Sequence, residues 1–192
     1  MSELWIYIEL GFKHITDING FDHMLFILAM IAPFSIREWK PLVKLVTAFT
    51  VGHSITLAMA VFGLVNLSKS QIWTIELLIP ISILITSVLN TFKFSSRFSV
   101  KYIVVLLFGL IHGLGFSNYL KAILTKSSSL SLTLFSFNVG LELGQLLFLC
   151  LCLIIFYIFN FLFKVNPRDN NIFISGGAFF ASALMILEKL SN

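Results

Sequence analysis

Between Lys126 and Lys164 the chain carries one charged residue, Glu142, in a long run of leucine, phenylalanine and isoleucine. The run is continuous rather than alternating, which argues against a transmembrane β-barrel and for helices. The rest of the chain has the same character. Of its 192 residues 58% are hydrophobic and only 11% charged, against about a quarter charged in soluble domains. So little charge cannot cover a water-facing surface, and lipid must be the solvent. At about 20 residues per crossing the length allows about six helices. The expected fold is an all-α polytopic membrane helical bundle, a single transmembrane domain over residues 1–192, with an N-terminal interfacial helix.

Residues 1–19 read as that amphipathic helix, with Leu4, Ile8 and Phe12 on one stripe and Trp5 and Tyr7 suited to the headgroups. Turn formers at 16–20 end it. Crossings are predicted over about 21–35, 41–65, 71–92, 100–120, 130–163 and 171–190, with Pro80 inside the third. Loops are expected at 126–129 and 166–171. Eight basic residues flank one set of loops (Arg37, Lys40, Lys44, Lys93, Arg97, Lys101, Lys164, Arg168) and five the other (Lys13, Lys69, Lys121, Lys126, Lys189). By the positive-inside rule both termini then face away from the cytoplasm, in a bacterial inner membrane. The basic residues sit at span ends, so the formal charge of +4 is no nucleic-acid signal. No nucleotide-binding motif, sequence repeat or cleavable signal peptide is evident. Cys150 and Cys152 lie inside an apolar run and read as packing residues.

All four histidines lie in or beside apolar helices: His14 and the Asp22-His23 pair at the entrance of the first crossing, His53 in the second, His112 in the fourth. Polar groups at membrane depth are costly, by about 2.5–3.5 kcal/mol for Asp, Lys or Arg at a helix centre. They persist by facing the bundle interior and finding partners. One lone histidine would be explained by a hydrogen bond to a neighbouring helix. Four, with carboxylates nearby, point to a shared site, and neutral imidazole is the commonest metal-binding side chain. Asn138, Glu142 and Gln145 fall on one helix face at i, i+4 and i+7. Such a stripe must face protein or water. Glu76, Pro80, Ser87 and Asn90 form a weaker stripe, with Glu76 either a site residue or a solvated acid. Asp22 reads as a metal ligand or a helix cap, and Asp17 as a cap or turn residue. Gly109, Gly113 and Gly115 around His112, and Gly52 beside His53, let a neighbouring helix come close. The candidate metal ligands are His14, Asp22, His23, His53, His112 and Glu142, supported by Asn138, Gln145, Ser54 and Asn90. Imidazole with carboxylate suits a borderline divalent ion, with nickel, cobalt and zinc all open.

Five segments in order resemble the HupE/UreJ family of bacterial membrane proteins, particularly forms common in Bacteroidota: Gly-Phe-Lys-His-Ile at 11–15, Gly-Phe-Asp-His-Met-Leu-Phe at 20–26, Phe-Thr-Val-Gly-His-Ser-Ile-Thr-Leu at 49–57, Phe-Gly-Leu-Ile-His-Gly-Leu-Gly-Phe at 108–116 and Phe-Asn-Val-Gly-Leu-Glu-Leu-Gly-Gln at 137–145. Members are described as nickel or cobalt permeases and as accessory proteins of hydrogenases and ureases. The resemblance implies that His14, Asp22 and His23 belong to a metal-recognition motif. Many members have five residues between the first His and the Asp-His pair; here seven lie between His14 and Asp22. The leading expectation is a nickel or cobalt transporter. The alternatives are a membrane-embedded zinc hydrolase with Glu142 or Asp22 as general base, or a metal-binding accessory protein without turnover. Expected partners are the bilayer, the metal ion and a membrane or metalloenzyme-maturation protein, with no nucleic acid and no nucleotide.

Overall fold

The computed structural model describes residues 3–92, 98–124 and 129–191. Every regular element among them is helical: α1 (Glu3–Thr16), α2 (Asp22–Ile31), α3 (Trp39–Val61), α4 (Lys69–Thr91), α5 (Phe98–Leu124), α6 (Leu130–Phe163) and α7 (Pro167–Ser191), with 3-10 turns at Ile18–Gly20 and Ile36–Glu38. Most of the expected loop at 126–129 lies outside the described residues. The loop at 166–171 is shorter than expected, because Pro167 opens α7, where its missing N–H costs nothing.

Five helices, α3 to α7, are long and apolar enough to cross a membrane. The first expected crossing is different. Its helix, α2, has 10 residues, a rise of about 15 Å and half a bilayer core. The other half comes from α1. Gly11 lies against the carbonyl of Phe137, Gly140 against that of Ile8, and Gly144 against Phe12 and Ile15. A Cβ on Gly11 or Gly140 would overlap backbone, so α1 runs close along the first part of α6, parallel to it. Beyond it α2 continues in the same direction, with Phe26, Ile27 and Met30 in one core cluster with Leu149, Cys152 and Leu153. Placed in series, the 14 residues of α1 and the 10 of α2 extend about 36 Å. The α1–α2 pair is thus interrupted at residues 17–21 and packs along α6, with α1 as the N-terminal amphipathic helix. α1 keeps an outer amphipathic face, with Trp5 and Ile6 exposed and Lys13 paired to Glu9 at 2.6 Å.

Glycines also bring α3 and α5 together. Gly52 lies against the Leu106 carbonyl, Gly109 against the Phe49 backbone and Gly113 against the His53 backbone. A second pair, α4 and α7, is tied by Asn90 to Ser175 at 3.3 Å, Asn171 to the Asn90 carbonyl at 3.0 Å, and Lys189 to Glu76 at 2.6 Å. The stripe from Glu76 to Asn90 thus serves α7 packing. The two ends of the bundle are distinct. Lys121 with Asn66 and Lys189 with Glu76 mark the end at which α1 begins and α7 finishes. Lys101, 4.8 Å from the Phe34 ring, marks the opposite, more basic end.

Candidate metal centre

The break between α1 and α2 puts the last turn of one helix and the first turn of the other against the middle of α3 and α5. There His14, His23 and His53 each offer a ring nitrogen, and the three atoms lie within 4.8 Å of one another. His23 and His53 are 3% and 1% exposed and His112 is fully buried. The Nε2 atoms of His23 and His53 face each other at 3.4 Å. The seven residues between His14 and Asp22 are absorbed by the 3-10 turn Ile18–Gly20, which returns the chain to His14. The ring centroids of His14 and His23 are 4.7 Å apart.

Asp22 does two things with one oxygen. Its Oδ1 accepts from the His23 backbone N–H at 2.9 Å and stands 3.0 Å from His23 Nδ1. The first bond supports the opening turn of α2. The second holds the proton on Nδ1 and leaves Nε2 as a lone pair aimed at His53, the carboxylate–histidine arrangement that orients metal ligands. His112 is treated similarly: Nδ1 donates to the Phe108 carbonyl at 2.8 Å, so Nε2 carries the lone pair. His14 Nε2, His53 Nδ1 and His112 Nε2 are buried with no hydrogen-bond partner among the described residues. Buried polar atoms are nearly always satisfied; of these three residues His14 and His53 belong to the group of close ring nitrogens, and the unpartnered His53 atom is Nδ1 rather than the Nε2 that faces His23.

Aromatic rings wall the site. Phe116 lies on His14 with centroids 3.7 Å apart. Phe26 and Phe49 stack at 4.9 Å and both contact His112, at 5.2 and 5.0 Å. The His112 ring is 5.2 Å from that of His23, behind the three-imidazole group. A cavity of about 450 Å³ lined by Leu10, Lys13, His14, Thr16, Asp17, Phe116 and Tyr119 reaches His14 from the α1 side.

Glu142 has other partners. Its carboxylate accepts from Thr47 at 2.7 Å and from Thr50, and Thr50 stands 2.7 Å from Gln145 Oε1. This oxygen-lined group is joined to the imidazoles through α3, where Thr50 and His53 are three residues apart and so share a face. Asn138 Oδ1 is buried without a partner among the described residues, and Ser54 is half-buried beside His53. Asn90 lies elsewhere, donating to the Ala29 carbonyl at 2.7 Å at the far end of α2. Sequence reasoning passed over Thr47 and Thr50. Their signal was a polar stripe running 47, 50, 54 along an otherwise apolar helix. The Gly11, Gly140 and Gly144 contact that places α1 was also legible, as a pair of glycines four residues apart on α6.

The model of a family described as HupE / UreJ protein matches residues 1–187 of the chain. No curated protein and no solved structure matches it.

Proposed function

The chain belongs to the HupE/UreJ family, and on that premise we propose that it is a divalent-metal transporter of the bacterial inner membrane, with nickel or cobalt as the first candidates for cargo. The observation that carries the reading is the group of three histidines from three separate helical segments, His14, His23 and His53, whose ring nitrogens lie within 4.8 Å of one another. The 3.4 Å between His23 and His53 Nε2 supports it. Two nitrogens bound to one ion at about 2.0–2.1 Å in tetrahedral geometry stand about 3.3–3.4 Å apart.

The ion enters from the cavity beside α1, meets His14, and is held by His14, His23 and His53. Asp22 supplies a negative charge and fixes His23. His112 offers its lone pair as the ion passes behind His23. Glu142, with Thr47, Thr50 and Gln145, is the next stop along α3 towards the basic end, which faces the cytoplasm. The first stop is made of imidazoles and the second of oxygens that include a carboxylate, so an ion can be bound and released in steps, as conduction requires. A concentration or electrical gradient drives the movement, and the whole chain works as one unit.

A second reading has one observation of its own. Three imidazoles, one of which, His14, lines a cavity of about 450 Å³, are also a ligand set for a hydrolytic zinc centre. Elemental analysis of the purified protein, followed by metal uptake into sealed vesicles containing it, separates the two. Stoichiometric metal with metal-dependent flux supports transport. Metal without flux, together with ester or peptide hydrolysis, supports the enzyme.

A further inference from the structure

A cavity of about 540 Å³ opens at the basic end of the bundle, between α2, α4, α5 and α7. Its inner wall is apolar, from residues such as Met30, Leu45, Leu89 and Val105. The polar groups within it serve one another. Asn90 donates to the Ala29 carbonyl and to Ser175, and Asn171 donates to the Asn90 carbonyl and accepts from Ser175. Two cations remain at the mouth, Lys101 and Arg168. Neither has a carboxylate partner among the described residues. Lys101 rests on the Phe34 ring instead, and Arg168 sits in the first turn of α7, where backbone N–H groups add positive potential.

We propose that this cavity binds one anionic phospholipid, with the phosphate between Lys101 and Arg168 and an acyl chain along the apolar wall. Charge complementarity selects the occupant. Two unpaired cations above an apolar slot suit an amphipath with a net negative head, and a zwitterionic head would set its ammonium against the same two cations. Basic pockets between transmembrane helices hold acidic lipids for this reason. Met30 and Pro33 line the cavity and Asn90 holds the Ala29 carbonyl. The lipid therefore touches the end of the short helix whose other end carries His23.

The test is thermal unfolding of the full chain in neutral detergent with added phosphatidylglycerol or phosphatidylcholine. Phosphatidylglycerol should raise Tm by on the order of 5 °C at saturation, and phosphatidylcholine by clearly less. Lys101→Gln with Arg168→Gln should remove the difference. Arg37→Gln with Lys40→Gln, at the same end but outside the cavity, should keep it. Equal stabilisation by phosphatidylcholine, a preference that survives the first double variant, or its equal loss in the second would overturn the proposal. So would the same stabilisation by oleate, which points to any acidic amphipath. Should the first double variant not fold, native mass spectrometry of the wild type decides. One phosphatidylglycerol retained per chain over phosphatidylcholine supports the site, and equal retention overturns it.

Discussion

Two polar groups share the middle of α3 and differ in what they lack. Around His53 the donors are nitrogens, and three of them, on His14, His53 and His112, have no hydrogen-bond partner among the described residues. Around Thr50 the atoms are oxygens, and the hydroxyls and carboxylate bond one another. The first group has a donor set that a cation could complete. In the second the single Thr50 hydroxyl proton faces oxygens of both Glu142 and Gln145, and the carboxylate has no basic residue against it in any ion pair among the described residues. On the proposed transport reading the contrast is a division of labour: the imidazoles would select and hold the metal, and the oxygen group would receive it in passage.

The largest effect that sharpens the contrast is expected from His23. It stands between His14, His53 and His112, so His23→Ala removes the one ring that contacts all the others. Metal affinity should fall by more than about 100-fold, the upper range for losing even a supporting contact. Isothermal titration with the purified variant measures this, and near wild-type affinity would break the assignment.

Glu142→Gln is the complementary change. It keeps the shape and one of the two accepted hydrogen bonds from Thr47 and Thr50 but removes the charge. Metal uptake into vesicles should drop by at least about tenfold, while equilibrium binding at the imidazoles changes by less than about threefold, a split between transition and ground states. If affinity falls as far as it does for His23→Ala, the two groups are one site. Asp22→Asn comes next, with affinity lowered about 10-fold, because the orienting acceptor on His23 weakens without being lost. Acidification should act on the imidazole group first. Protonation removes the lone pair a metal needs, so bound metal should fall on acidification. Metal that is retained at every acid pH at which the fold survives would contradict nitrogen ligation.

The smallest expected effect is on the scaffold beneath both groups. Gly113→Ala pushes a methyl group into the His53 backbone and Thr56, and overpacking of this kind costs about 1–3 kcal/mol. Thermal unfolding should show a lowered Tm with both binding and flux reduced. An unchanged Tm would mean that α3 and α5 do not rely on this contact.

Much of this arrangement could be read from the chain. Hydropathy located α3 to α7 because each is a continuous apolar run longer than a bilayer core. The cost of burying polar groups identified the histidines and Glu142 as residues that must face inward. The interrupted crossing was harder. Residues 12–20 carry Lys13 and Asp17, so hydropathy alone reads a surface helix there. Only the backbone contacts of Gly11, Gly140 and Gly144 show that α1 packs closely along α6. The partition between nitrogen and oxygen groups was also hidden, because it depends on rotation. Glu142 points to Thr47 and Thr50, and spacing along α6 alone cannot say which face of α3 it meets.

The central claim is that His14, His23 and His53 together hold one divalent ion. X-ray absorption spectroscopy of the metal-loaded, purified full chain reads the ligand atoms directly. The predicted spectrum has about three imidazole nitrogens near 2.0–2.1 Å, reduced in His23→Ala and unchanged in Glu142→Gln. A shell made only of oxygen atoms, or one that responds to Glu142→Gln and not to His23→Ala, would contradict it.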